Sequence, residues 1–118
     1  MIRFIIFGII CLSLLFSIQI TYAQENIEFE SGKNIREWES ISAALIDKDR
    51  YDEAIIYLDR ILEQEPNNLK ALSNKSGILI ELERYDESVE IADIVLKNEP
   101  NRISALTNKA IALKMLKE

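Results

Sequence analysis

Between Ile35 and Glu118, apolar residues recur three or four apart in stretches separated by short charged turns, which is the period of amphipathic helices. Trp38, Ile41, Leu45 and Ile46 form one stripe, and Ala54, Ile55, Leu58, Ile61 and Leu62 form the next. Further along, Leu72, Leu79 and Leu82 make a third stripe, and Val89, Ala92 and Val95 a fourth. Pro66 and Pro100 cannot continue a helical ladder, so each ends a helix, and Asn67 and Asn101 suit the turns that follow. The pattern predicts an all-α fold of short paired helices.

The start of the chain is different. Residues 1–23 run from a positive Met1-Ile2-Arg3 through an apolar stretch to Thr21-Tyr22-Ala23, whose small last residue suits signal peptidase. That is the layout of a secretory signal peptide. The alternative is an uncleaved anchor over residues 4–20, near the lower limit of the roughly 17 to 25 apolar residues that cross a bilayer. Either reading places the rest of the chain outside the cytoplasm, secreted or in the cell envelope. Cys11 lies inside this leader, with Ile9 and Ile10 where a lipoprotein pattern carries small residues. Residues 24–34 turn abruptly acidic and lose the period, which predicts a linker, with Ser31 or Asn34 capping the helix after it.

Shifting the sequence against itself by 34 residues superimposes Arg50-Tyr51-Asp52-Glu53 on Arg84-Tyr85-Asp86-Glu87, and Glu65-Pro66-Asn67 on Glu99-Pro100-Asn101. Residues 35–68 and 69–102 are identical at 12 of 34 positions, where about two are expected by chance at ordinary usage. A partial third copy, 103–118, repeats Ala71-Leu72 and Asn74-Lys75 as Ala105-Leu106 and Asn108-Lys109. Residues 35–118 therefore read as one repeat domain, and stacking of such units builds a core that a chain this small lacks otherwise.

A 34-residue helix-turn-helix unit with Trp38 near its start, small residues at Ser42 and Ala54, and closing Pro66 resembles the tetratricopeptide repeat. Leu72, Ser76, Leu79, Ser88, Ala92, Val95 and Pro100 match the same places in the second unit, and Leu106, Ala110 and Leu113 in the third. The resemblance implies an α-solenoid of two full hairpins plus a terminal half-repeat helix. It implies that Ser42, Ser76 and Ala110 lie where paired helices cross closely. Asp49 and Glu83 stand where the family carries glycine, which implies a strained turn, and Ile61 and Val95 stand where it favours alanine.

The resemblance also implies a concave groove, lined by the first helix of each unit, that grips a peptide or partner helix. Its positions fall on Arg36, Glu39, Ser40, Ala43, Ile46 and Asp47 in the first unit. The second supplies Lys70, Ser73, Asn74, Gly77, Ile80 and Glu81, and the last helix Ser104, Thr107, Asn108, Ile111, Lys114 and Met115. Asn74 and Asn108 offer amides to a peptide backbone, and the isoleucines offer apolar contact. The family's carboxylate clamp is not reproduced, since Glu39 and Ala43 replace its first Lys and Asn and only Asn74 matches.

Composition narrows the function classes. The 118-residue chain has no histidine and its one cysteine sits in the leader, so Cys/His zinc sites, stapling disulfides and most nucleophilic or acid/base constellations lack their residues. Beyond the leader 13 basic residues face 20 acidic ones, interspersed as in Asp47-Lys48-Asp49-Arg50, which argues against a nucleic-acid partner. Carboxylate pairs such as Glu37 and Glu39 read as solvated helix faces, Ser31-Gly32-Lys33 lacks the first glycine of a phosphate loop, and Asn74-Lys75-Ser76 is a glycosylation sequon on a helix. The expectation is a non-catalytic adaptor with no cofactor or metal and a protein or peptide partner, touching membrane only through its leader. The last helix carries more apolar surface than one buried face needs, so self-association there is the second expectation, beside a fragment of a longer array.

Overall fold

The two charged turns that break the apolar stripes close their helices in the same way. In the computed structural model, which describes the backbone of residues 2–118 and their side chains outside 22–33, Asp49 and Glu83 both adopt φ 57°. The amide of Arg84 donates to the Leu79 carbonyl at 2.8 Å and that of Glu83 to Ile80 at 3.0 Å. Thirty-four positions earlier, Arg50 donates to Leu45 at 2.9 Å and Asp49 to Ile46 at 3.0 Å. These paired bonds are a Schellman closure, which satisfies the last carbonyls of a helix through one left-handed residue. The strained turn expected from the missing glycines is therefore present in both units.

Five helices result among the described residues: α1 Ile2–Ile46, α2 Tyr51–Gln64, α3 Leu69–Glu81, α4 Tyr85–Asn98 and α5 Ile103–Lys117. The chain divides into two compact units, Met1–Asn34 and Ile35–Glu118. In the first, Ile2–Thr21 is long and apolar enough to cross a membrane, and none of it is buried. Its hydroxyls turn back on the helix: Ser13 donates to the Ile10 carbonyl at 2.8 Å, Ser17 to Ser13 at 2.9 Å and Thr21 to Ser17 at 3.0 Å. None of the three then requires water. Residues 24–34, expected as a linker, lie within the helical backbone of α1, so no helix starts at Ser31 or Asn34 and neither acts as a cap there. Gly32 is the sole glycine in that stretch, and a single glycine is tolerated among helix formers at a cost of about 1 kcal/mol.

In the second unit the stripes meet. Leu45 from α1, Ala54, Leu58 and Ile61 from α2, and Ala71 and Ile78 from α3 form one buried cluster, with Ile35, Trp38 and Ile41 packed against it. Leu72, Val95 and Ala105 form a second, which joins α3, α4 and α5. Arg60 lies 5.2 Å from the Tyr57 ring centre and 6.0 Å from that of Trp38, within cation–π range.

Small residues sit at the crossings. Ser42, Ala54, Ser76 and Ser88 are all buried. In the second hairpin the two hydroxyls are reciprocal: Ser88 Oγ donates to the Ser76 carbonyl at 2.8 Å and Ser76 Oγ to the Ser88 carbonyl at 3.1 Å. Side chains that small let the backbones approach closely enough to exchange such bonds. Ala110, expected at a third crossing, is exposed, because no helix among the described residues lies across it.

The stacking of one hairpin on the next is also repeated. Lys75 Nζ reaches Asp59 Oδ1 at 2.6 Å between α3 and α2, and Lys109 Nζ reaches Asp93 Oδ1 at 2.6 Å between α5 and α4. Part-exposed pairs contribute up to about 1 kcal/mol each, so apolar burial carries the interface and these pairs fix its register.

Candidate protein-binding face

α3 packs beside α5, and with the Ile35–Ile46 part of α1 these first helices of successive units present one row of side chains. Two hollows lie along it. The smaller, about 40 Å³, is lined by Glu39, Ala43, Lys70 and Asn74, with Ser42, Leu58, Ile61 and Ala71 behind them. Lys70 Nζ and Glu39 Oε1, 3.6 Å apart, span its rim. Asn74 is half-buried there and makes no side-chain hydrogen bond among the described residues.

The larger recess, about 260 Å³, draws on three of the helices and the first residue of α2: Ile46, Tyr51, Gly77, Ile78, Ile80, Glu81, Asn108 and Ile111 line it. Gly77 contributes by lacking a side chain. A Cβ placed there meets Asn108 Nδ2 at 3.6 Å, ordinary contact, so the glycine leaves room in the recess and is not forced by sterics. Asn108 Nδ2 donates to the Ser73 carbonyl at 3.1 Å, which ties α5 to α3 and leaves Oδ1 without a partner among the described residues.

Of the residues expected to line a groove, Glu39, Ala43, Ile46, Lys70, Asn74, Gly77, Ile80, Glu81, Asn108 and Ile111 come together in these two hollows. Arg36, Ser40, Asp47, Ser104, Thr107, Lys114 and Met115 are exposed outside them. Ser73, expected in the groove, is buried, and its Oγ has no hydrogen-bond partner among the described residues. Its neighbour helix covers it, through Asn108, so its hydroxyl is not offered to a partner. Tyr51 and Ile78 were missed. Tyr51 repeats as Tyr85 in the Arg-Tyr-Asp-Glu motif, which is the signal that marks it as built in.

The electrostatics around the recess are acidic. The Tyr51 hydroxyl donates to Asp49 Oδ1 at 2.8 Å. That hydrogen bond, with burial and the nearby charges of Asp49 and Glu81, raises its pKa. Beneath the turns, Arg50 binds both carboxylate oxygens of Glu53, and Arg84 those of Glu87. The hydrogen bonds from each arginine hold Glu53 and Glu87 below the ordinary carboxylate range.

Stacked helical hairpins of this period, with small residues at each crossing, define a helical repeat protein. The tetratricopeptide repeat family model matches residues 45–110, and the chain belongs to that family. Among solved structures it is similar to MamA 41-end from Desulfovibrio magneticus RS-1, at 29% identity and a TM-score of 0.65, over 70% of this chain and 47% of that one. A MamA RS-1 ArsTM double mutant matches over the same shares at 28% identity and a TM-score of 0.65. The chain thus spans about half the length of these structures. No curated protein matches it. Family and neighbours together support a protein-interaction or scaffold module.

Proposed function

We propose that this chain is a non-catalytic adaptor whose first-helix row binds a peptide or partner helix outside the cytoplasm. The observation that carries the reading is the recess between Ile46, Ile80 and Ile111, in which three successive units converge on one apolar seat. An aliphatic or aromatic side chain of the partner fills it. Asn108 Oδ1 and the Asn74 amide bond the partner's backbone, and Glu81 in the recess wall favours a basic residue beside the apolar anchor. Binding of this kind needs complementary shape and polar anchors and no bond-making step.

Export or tethering is the second part of the proposal. It rests on the Ile2–Thr21 helix, apolar on all sides with its hydroxyls internally bonded. N-terminal sequencing of the expressed product checks it. A start at Gln24 identifies a cleaved leader and a membrane-bound Met1 start an anchor, whereas a soluble full-length product refutes export.

For the face itself, the test is affinity capture from envelope material with the full chain and with Asn74→Ala plus Ile80→Ala, after circular dichroism shows equal helix content. Loss of the captured proteins from the variant supports the seat. Their unchanged recovery refutes it.

A further inference from the structure

The polar atoms of the larger recess are one-sided. None of the side chains that line it is basic, and the three polar ones are Glu81, Asn108 and Tyr51. The Asn108 nitrogen already donates to the Ser73 carbonyl, and the Tyr51 hydroxyl donates its proton to Asp49. The oxygens that remain are acceptors: Asn108 Oδ1, the Tyr51 oxygen with its own lone pairs, and the Glu81 carboxylate, which has no partner among the described residues. Glu81 lies close enough to the Tyr51 hydroxyl for its charge to add to the effects of the Asp49 hydrogen bond and burial in raising the tyrosine pKa.

The bond from Tyr51 to Asp49 is not a requirement of the repeat. Both charged turns close through the same Schellman bonds around a residue at φ 57°. Only the first, beside the recess, ties its tyrosine to that residue. At the second turn Glu83 stands in place of Asp49, and Tyr85 makes no side-chain hydrogen bond among the described residues. The effect of the bond at the first turn is to take the hydroxyl proton away to Asp49, so that Tyr51 meets a ligand as an acceptor.

We infer that the recess receives an arginine side chain of the partner, next to the aliphatic residue that fills the apolar seat. This rests on the seat proposed above and fixes the chemistry of what sits there. A guanidinium has five donors and no acceptor, forks onto a carboxylate and stacks on an aromatic ring. Glu81 takes the fork, Tyr51 offers its oxygen and its ring, and the isoleucine walls cover the methylene stem. Asn108 Oδ1 stays with the partner's backbone. A lysine ammonium matches the charge but not the fork or the ring. A phosphate or a peptide's C-terminal carboxylate meets acceptors and the like charge of Glu81.

The test is an NMR titration of the full chain in non-ionic detergent with labelled isoleucine δ1 methyls, because Ile46, Ile78, Ile80 and Ile111 all line the recess. The probes are acetylated dipeptide amides: leucyl-arginine, leucyl-lysine and leucyl-citrulline, the last with the shape of arginine and no charge. Saturable shifts of these methyls are expected with the arginine probe, with affinity about threefold lower for lysine and about tenfold lower for citrulline, since hydrogen bonds to charged groups are the stronger. Glu81→Gln is expected to lower the affinity for the arginine probe about fivefold and to leave that for citrulline unchanged. Glu83→Gln removes the same charge outside the recess and is expected to alter neither. Both positions are exposed, and circular dichroism checks that the variants keep their helix content.

Equal affinity for the arginine and citrulline probes overturns the inference and leaves the apolar seat standing, and so does tighter binding of the lysine probe. Equal losses from Glu81→Gln and Glu83→Gln also overturn it, because the attraction then belongs to the net charge of −6 and not to the recess. If no recess methyl shifts with any probe up to about 50 mM, the seat itself is refuted and the arginine with it.

Discussion

Replacing Glu83 by glycine should stabilise this protein, although most substitutions destabilise. Glu83 holds φ 57°, where the Cβ of an L-residue crowds its own carbonyl at a cost of roughly 1 to 2 kcal/mol. Glycine removes that cost but gives the unfolded chain extra freedom worth about 0.5 to 1 kcal/mol. The side chain is exposed and makes no hydrogen bond or ion pair among the described residues, so little else is lost. The net expectation is a gain of about 0.5 to 1 kcal/mol, which moves the urea midpoint up by about 0.5 M at the slope typical of a unit this size. Unfolding of the full chain in non-ionic detergent, followed by circular dichroism, measures it. Glu83→Ala is the control, since it removes the same charge and keeps the crowded Cβ. If the glycine variant is no more stable than the alanine variant, the left-handed turn is not a source of strain and the reasoning fails. Asp49→Gly relieves the same strain but loses the hydrogen bond from Tyr51, so its gain should be smaller.

Three further outcomes are expected. Ala54→Leu, at a fully buried crossing, should cost about 1 to 3 kcal/mol by overpacking, and an unchanged melting temperature would contradict the helix register. Ser73→Ala should raise stability by about 1 kcal/mol, because it removes a buried hydroxyl that has no partner among the described residues and keeps the carbonyl that Asn108 uses; a loss in urea titration would show that the hydroxyl is bonded. Glu53 and Glu87 are held below the ordinary range, so the stability they supply is complete above about pH 4.3, the unfolded value, and is lost as pH falls through their lower folded values. Glu53→Gln with Glu87→Gln should therefore lose less stability than the parent between pH 7 and pH 3, and an equal loss would remove these pairs from the acid response.

The repeat was legible because helix-pairing contacts recur with the chain's period. Leu45, Ala54, Leu58, Ile61, Leu72, Leu79, Ala92 and Val95, all on the expected stripes, are buried. What a single unit's pattern does not show is how many neighbours that unit has. Ala71 and Ile78 are core residues off the expected stripe, since α3 is packed by α2, α4 and α5 together. Ser73 is buried and Ala110 is exposed for the same reason, the one with a helix over it and the other without. The recess was legible to the extent that it follows the first-helix row, and Tyr51 escaped because it belongs to a second helix that closes the row from below.

That dependence on neighbours also sets where the stack opens first. α3 buries six residues, whereas α5 buries only Ala105 and Ala112 and leaves large aliphatic residues in water. Two alanines supply little apolar area, and an arginine at 102 replaces the Asn68 side chain that caps α3 by accepting from the Ala71 amide at 3.0 Å. A missing cap costs a helix about 1 kcal/mol. α5 should therefore open locally well before the whole unit unfolds, and its amides should exchange with deuterium faster than those of α3. Because Asn108 and Ile111 come from α5, each opening also dismantles the recess. Uniform exchange across α3 and α5 would refute this uneven stability, and with it the dependence of the recess on α5.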